Sequence, residues 1–280
     1  MRLAGSPLME LIGSVENLTV AWESVRKKGG CPGCDGTTTD QFGLNLPVRL
    51  REISKSLING WYRPDALRPI YLPRKGGGLR TVHIATIRDQ IAQRAFLNVL
   101  SPIYEKYFAP CSFAYRPRKG GQNAIDLVLC LFDQGYRWVL HSDIFEFFDS
   151  LPHMELNAII ESDLRDKRVS RVMRQWMAQA PMSAQGRGIV QGAVISPLMA
   201  NIYLHRFDLA IDSSRGRLIR YSDDFLIMAR SYRDTLGNFF HAVQLLNRLK
   251  LRVNRDKTCI IDLHENDLPF LGRLITIRQA

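Results

Sequence analysis

The chain has 280 residues, 46% of them hydrophobic, with 38 Lys and Arg against 27 Asp and Glu for a formal charge of +11. This length and apolar content exclude a disordered polymer and allow one large domain or two modest ones, and no apolar run is long enough to span a bilayer. The excess positive charge suits a polyanionic partner, because basic residues bound to phosphates release condensed counterions.

Met1-Arg2-Leu3-Ala4-Gly5-Ser6 is followed by an apolar stretch that Glu10 interrupts, which makes a poor signal peptide, so a cytosolic location is expected. Leu18–Lys28 predicts an amphipathic helix with Leu18, Ala21, Trp22 and Val25 on one face, stopped by Gly29-Gly30. Residues 29–40 read as a loop holding Cys31-Pro32-Gly33-Cys34. This lone CxxC lacks a second pair of zinc ligands and reads as a turn with two free thiols. The five cysteines are odd in number and scattered, which argues against a disulfide framework. Leu46–Leu57 predicts a second helix closed by Gly60. Ile70–Pro73 and Leu79–Ile84 read as strands joined by the basic turn Arg74-Lys75-Gly76-Gly77-Gly78.

Ile87–Leu100 predicts a long helix, residues 109–121 an irregular basic segment, and Gln122–Phe132 another helix. Trp138–Ile144 is a strand ending in a carboxylate, Asp143. Helices are expected over 153–162 and 168–179, and over Pro197–Ile211 with proline in the first turn. Arg217–Tyr221 and Phe225–Ala229 are short apolar strands separated by Ser222-Asp223-Asp224, so a hairpin carries carboxylates at its tip. A helix over Arg233–Leu249 and strands near 258–263 and 270–277 follow. The order strand, helix, hairpin, helix, strand predicts an α+β sheet with helices on one face.

Two adjacent aspartates at a hairpin tip repel, and each raises the pKa of the other. A divalent cation removes that cost. Asp143 ends another apolar strand and brings a third carboxylate toward the same cluster. Hard oxygen ligands favour Mg²⁺, which takes a few carboxylates together with substrate phosphates. Two such ions about 4 Å apart activate a 3′-hydroxyl and stabilise a leaving pyrophosphate. Ser222-Asp223-Asp224 also suits an ordinary polar turn, and these residues by themselves leave both readings open.

Their neighbours add a resemblance. Tyr221-Ser222-Asp223-Asp224 resembles the Y-x-D-D box of reverse transcriptases, and Asp143-Ile144-Phe145-Glu146-Phe147-Phe148-Asp149 their first catalytic box. Gln191-Gly192-Ala193-Val194-Ile195-Ser196-Pro197-Leu198, with Asn201-Ile202-Tyr203-Leu204, is similar to the Q-G-x-x-x-S-P-L-x-x-N-I-Y-L of the group II intron class. Asn254-Arg255-Asp256-Lys257-Thr258 resembles the next box, and Phe270-Leu271-Gly272 the primer-grip box. Tyr62-Arg63-Pro64, the hairpin ending at Arg80, Arg88-Asp89 and Ser112–Pro117 fall in family order. The likeness runs from about residue 17 to 275, and several boxes in one order are specific where one would be weak.

The resemblance implies an RNA-directed DNA polymerase with fingers and palm: an N-terminal helical extension over 1–35, fingers over 36–136, and a palm over 137–280 with a helical insertion about 153–185. Its antiparallel palm sheet would carry Asp143, Ile144, Asp223 and Asp224 as metal holders, with two Mg²⁺ ions or Mn²⁺ as cofactor. Asp143, Asp223, Asp224 and Lys257 would be catalytic, Lys257 protonating the pyrophosphate. Arg74, Lys75 and Arg80 would grip the incoming triphosphate. Phe148 matches the steric gate against a 2′-hydroxyl, and Gln191 and Gly192 would contact nucleotide and template. Arg63, Arg116, Arg118, Lys119, Tyr221, Phe270, Leu271 and Gly272 would bind nucleic acid.

Departures are Ser222 where intron-type enzymes often have Ala, Glu146 beside the site, and Ile189-Val190-Gln191 for the more usual Thr-Pro-Gln. The chain ends soon after Phe270-Leu271-Gly272, so a thumb is expected to be absent, very reduced or supplied by another polypeptide. The expected partners are RNA template, DNA primer and dNTPs, with a CRISPR adaptation integrase or another thumb-supplying protein. CRISPR spacer acquisition or phage defence is the expected context. A truncated intron-encoded enzyme and a catalytically silent nucleic-acid-binding subunit are the alternatives. Ser196-Pro197 argues against diversity-generating retroelements, which typically carry Ser-Gln there.

Overall fold

A computed structural model describes residues 8–73, 77–211 and 216–276. In chain order its helices are α1 Leu8–Ile12, α2 Val15–Lys27, α3 Thr39–Gly43, α4 Leu46–Ile58, α5 Ile87–Glu105, α6 Gly121–Asp133, α7 Phe147–Ser150, α8 His153–Asp163, α9 Lys167–Met177, α10 Ser196–Ile211 and α11 Tyr232–Arg248. Its strands are β1 Arg68–Pro73, β2 Leu79–Ile84, β3 Trp138–Asp143, β4 Arg217–Tyr221, β5 Asp224–Ala229, β6 Cys259–Asp262, β7 Leu268–Phe270 and β8 Arg273–Ile275. The chain forms two compact units, Met1–Tyr107 with Phe148–Ile202, and Phe108–Phe147 with Tyr203–Ala280. It therefore passes between units three times.

The first unit is mostly helical. Helix α2 packs on α4 and α5, α1 on α4, α5 and α9, and α8 on α9. The apolar stripe of α2 read from the sequence is buried as expected, with Leu18, Ala21, Trp22 and Val25 inside. Trp176 of α9 meets Phe96 of α5 edge-on at 4.7 Å. Such large side chains each contribute about 1.5–3 kcal/mol by leaving water. Strands β1 and β2 form an antiparallel hairpin with Leu72 opposite Arg80. Helix α3 starts at the end of the loop expected over 29–40 and runs on beyond it. Thr38 and Gln41 make a reciprocal capping box that outweighs the local Gly and Thr content.

The second unit is built on an antiparallel sheet of order β4-β5-β3-β6. Strand β5 is central, and Phe225, Leu226, Ile227, Met228 and Ala229 are all fully buried. Leu226 and Met228 share a core with Ile125 and Val128 of α6 and with Leu268, Phe270 and Ile275. Phe225 faces the other way and meets Phe207 of α10, and α11 packs on β3 and β5. Both faces of the sheet are thus covered by helices, not one face as expected. That is why β5 reads as a continuous apolar run without alternation. The single strand expected over 270–277 is instead the tight hairpin β7–β8, with Phe270 paired to Arg273. Leu271 (φ 53) and Gly272 (φ 73) make its turn in the left-handed region, which a periodicity reading cannot register for a leucine.

Candidate active site

Strands β3 and β5 run antiparallel in a register that sets Asp143 directly opposite Asp224 and His141 opposite Leu226. Residues opposite one another share a face, so Asp143, Asp224 and His141 all lie on the side of Leu226 and Met228. Tyr221 pairs with Asp224, which leaves Ser222 and Asp223 as a two-residue turn. Ser222 takes φ 64, the left-handed conformation that glycine adopts most readily. The β3 end is tied down by its backbone: Ile144 N–H donates to Asp223 O (3.2 Å), Phe145 N–H to Arg252 O (2.8 Å) and Asn254 N–H to Asp143 O (2.9 Å).

The three carboxylates stand in different surroundings. Asp143 is 14% exposed and its Oδ2 accepts from the Lys257 ammonium at 2.6 Å, while its Oδ1 is buried with no hydrogen-bond partner. Asp224 Oδ1 lies 2.9 Å from His141 Nε2. Burial, with Asp143 and Asp224 as like-charged neighbours, holds the Asp223 carboxyl above the usual carboxylate range. The hydrogen bond to Asp143 pushes the Lys257 pKa up. An orphaned carboxylate oxygen beside a carboxyl reluctant to ionise is a donor set that suits a hard cation. Among the described residues no group of three or more His, Cys, Asp or Glu side chains is placed to hold a metal ion by itself. The Ile144 side chain is buried, so only its backbone carbonyl is suited to that role.

The turn has a brace that the sequence reading missed. Arg220 and Asp208 are both fully buried and make a bidentate pair, Nε to Oδ1 at 2.6 Å and Nη2 to Oδ2 at 2.7 Å. The same guanidinium donates to Ser222 O (2.9 Å) and Ser112 Oγ (2.8 Å). Ser112 runs beside β4, with Arg220 N–H donating to Cys111 O and Phe113 N–H to Arg220 O. A lone arginine within the otherwise apolar Leu218-Ile219-Arg220-Tyr221 was the available signal, since a buried charge demands a partner.

Two residues expected to touch nucleic acid, Arg116 and Phe270, are buried. Arg116 is only 8% exposed, and its guanidinium donates to Ala109 O (2.6 Å) and Ser112 O (2.7 Å). It braces its own segment. Phe270 is buried in the core and meets His141 edge-on, so its ring is not a contact surface. Lys119 is half-buried and donates to Pro110 O at 2.7 Å, while Arg118 is exposed. Tyr221 is half-buried, and Leu271 and Gly272 form the β7–β8 turn.

In the first unit, His83 N–H of β2 donates to Gln191 O at 3.0 Å, so Gln191 and Gly192 dock against the hairpin that carries Arg80. Gly192 has φ 98, and a Cβ there would stand 2.5 Å from Val82 Cγ1, so only glycine fits this approach. Arg80 is exposed. Phe148 is half-buried at the start of α7, where its carbonyl accepts from Ile189 N–H at 2.7 Å. Arg63 is exposed. Arg74 and Lys75 lie outside the described residues.

The profile of the family described as Reverse transcriptase (RNA-dependent DNA polymerase) matches residues 72–275. The chain belongs to the reverse transcriptase family. The reverse-transcriptase chain is 30% identical to Protein YkfC of Escherichia coli K12, over 97% of this chain and 84% of that protein. It is also 30% identical to the group II intron-encoded protein LtrA of Lactococcus lactis, over 68% of this chain but only 32% of LtrA. Two solved structures share the fold: a partial Cas6-RT-Cas1–Cas2 complex (TM-score 0.52, 21% identity, 87% of this chain and 43% of that one), and telomerase of Candida tropicalis with a telomeric RNA fragment (TM-score 0.56, 14% identity, 86% of this chain and 48% of that one). The reverse-transcriptase chain thus spans most of YkfC, a third of LtrA and under half of each structural neighbour. Together they bear out the group II intron-like family and the fingers-and-palm fold class.

Proposed function

We propose that the chain is an RNA-directed DNA polymerase that extends a DNA primer with dNTPs at the β3–β5 carboxylates. The observation that carries this reading is the placement of Asp143 and Asp224 side by side in register, with Asp223 in the turn and Asp143 Oδ1 buried without a partner. Asp143 and Asp223 are the main metal holders, with the Ile144 carbonyl beside them. Asp224, tied to His141, is the supporting carboxylate. Divalent cations held there would supply charge neutralisation and lower the pKa of a primer 3′-hydroxyl. Lys257, kept protonated by Asp143, is the general acid toward the leaving pyrophosphate. Phe148 discriminates against the 2′-hydroxyl, and Arg80 with Gln191 and Gly192 receives the nucleotide.

The context we favour is CRISPR spacer acquisition beside an adaptation integrase, and the likeness to a Cas6-RT-Cas1–Cas2 chain over 87% of this one supports it. The identity with LtrA favours an intron-encoded origin as the second reading. The purified chain, given a DNA primer on an RNA template, dNTPs and Mg²⁺, should extend the primer and stop when EDTA removes the metal. No extension, alone or with the products of neighbouring genes, would sink the polymerase reading.

A further inference from the structure

The first unit carries an exposed tryptophan beside a run of cations. Trp61 is 71% exposed, whereas Trp22 and Trp176 are 3% and 2% exposed. It is not on a loose loop. Its neighbour Tyr62 is buried and donates to Asp89 Oδ1 at 2.6 Å, and Tyr62 Oη accepts from Trp176 Nε1 at 3.2 Å. Asp65 N–H donates to the second Asp89 oxygen at 2.6 Å. The indole is therefore held out in water by an anchored backbone, although burying it would gain free energy.

Two cations flank its chain neighbour Gly60. Arg63 Nη1 lies 3.5 Å from Gly60 O, and Arg171 Nη1 lies 3.6 Å from where a Cβ on Gly60 would stand. Arg171 belongs to α9, where Lys167, Arg171 and Arg174 recur at helical spacing and are all exposed. Such residues form one stripe, spanning about 10 Å at 1.5 Å per residue. Of these, Arg174 has a described acidic neighbour, Glu161 at 3.9 Å with both side chains about half exposed, too weak a pair to cancel it. Arg168 is different, because Glu10 and Asp166 both engage it, and it is left out of the stripe.

We infer that Trp61 with Arg63, Lys167, Arg171 and Arg174 is a docking surface for a single-stranded stretch of RNA. A base stacks on the Trp61 indole and the neighbouring phosphates lie along the α9 stripe. Single-strand binders combine aromatic platforms with a basic track in this way, and the base must be unstacked to reach the ring. This rests on the polymerase reading for the identity of the strand.

The test uses the full chain and an unstructured 20-mer of oligo(rU), read by tryptophan emission. Saturating oligonucleotide should quench Trp61, and Trp61→Ala should remove the quench and weaken binding about 10-fold or more. Trp61→Phe should restore most of the affinity. Arg171→Gln with Arg174→Gln should lower the slope of log K against log salt by about 1.4, near 0.7 for each phosphate no longer neutralised. All are surface changes, and near-ultraviolet circular dichroism will verify the fold. Emission unmoved by bound RNA, or equal affinity and salt slope in wild type and variants, would overturn the inference and leave the patch for a protein partner. If that happens while Asp223-dependent primer extension is intact, the polymerase reading stands. Failure of wild type both to bind and to extend would remove both.

Discussion

The buried Arg220–Asp208 pair gives the sharpest test of how the carboxylate turn is held. Arg220→Met removes two hydrogen bonds to Asp208, one to Ser222 O and one to Ser112 Oγ. It also strands Asp208, which is fully buried. Removing one partner of such a pair costs about 3–5 kcal/mol, a large part of an ordinary stability of about 5–15 kcal/mol. Urea denaturation should therefore show a fall in midpoint of about 1 M or more. The double variant Arg220→Met, Asp208→Leu removes both charges and should recover most of that loss, because an apolar replacement for a buried pair is often close to neutral. It does not return the donor to Ser222 O. Ser222, in its left-handed conformation, then loses its tether, and Asp223 moves with it. Primer extension by the double variant should stay at least 10-fold below wild type in kcat, with the KM for primer–template little changed. A double variant that regains full activity along with its stability would refute the assignment of Arg220 to turn positioning.

Three further outcomes follow from the same geometry. Gly192→Ala should lower Tm by several degrees and raise the KM for dNTP, because φ 98 and the 2.5 Å approach to Val82 leave no room for a Cβ; an unchanged Tm would contradict this. Burial pushes the Asp89 carboxyl up to about 6 from an ordinary 3.8, so as pH falls from 7 toward 4 the folded chain takes up a proton before the unfolded one does. Wild type should gain stability relative to Asp89→Asn over that window, and a difference that stays constant from pH 7 to 4 would count against it. Phe148→Ala should admit ribonucleotides, measured as the ratio of kcat/KM for dNTP and rNTP, and an unchanged ratio would remove the gate assignment.

The sequence made the carboxylate hairpin legible because everything it needs is local. Two apolar strands flank three polar residues, and the Tyr221–Asp224 box adds its own signature. Strand β3 with Asp143 was legible for the same reason. What escaped depends on direction and distance. Arg116 and Arg118 stand in the same basic run, yet one turns inward to carbonyls and the other stays at the surface, and composition cannot distinguish them. Arg220 meets Ser112, 108 residues away in sequence, so no window shows the pair. His141 holds Asp224 only because the β3–β5 register brings their faces together. The β7–β8 turn was missed because Leu271 adopts a conformation that its residue type seldom takes.

The central claim is that Asp143 and Asp223 carry metal-dependent polymerisation. Its most direct test is a rapid-quench measurement of single-dNTP incorporation opposite an RNA template with Mg²⁺, comparing wild type with Asp143→Asn and Asp223→Asn. The account predicts incorporation by wild type and a loss of about 10³-fold or more in each variant, as expected where transition-state charge stabilisation is removed, with primer–template affinity retained. Variants that incorporate the nucleotide as fast as wild type would contradict it.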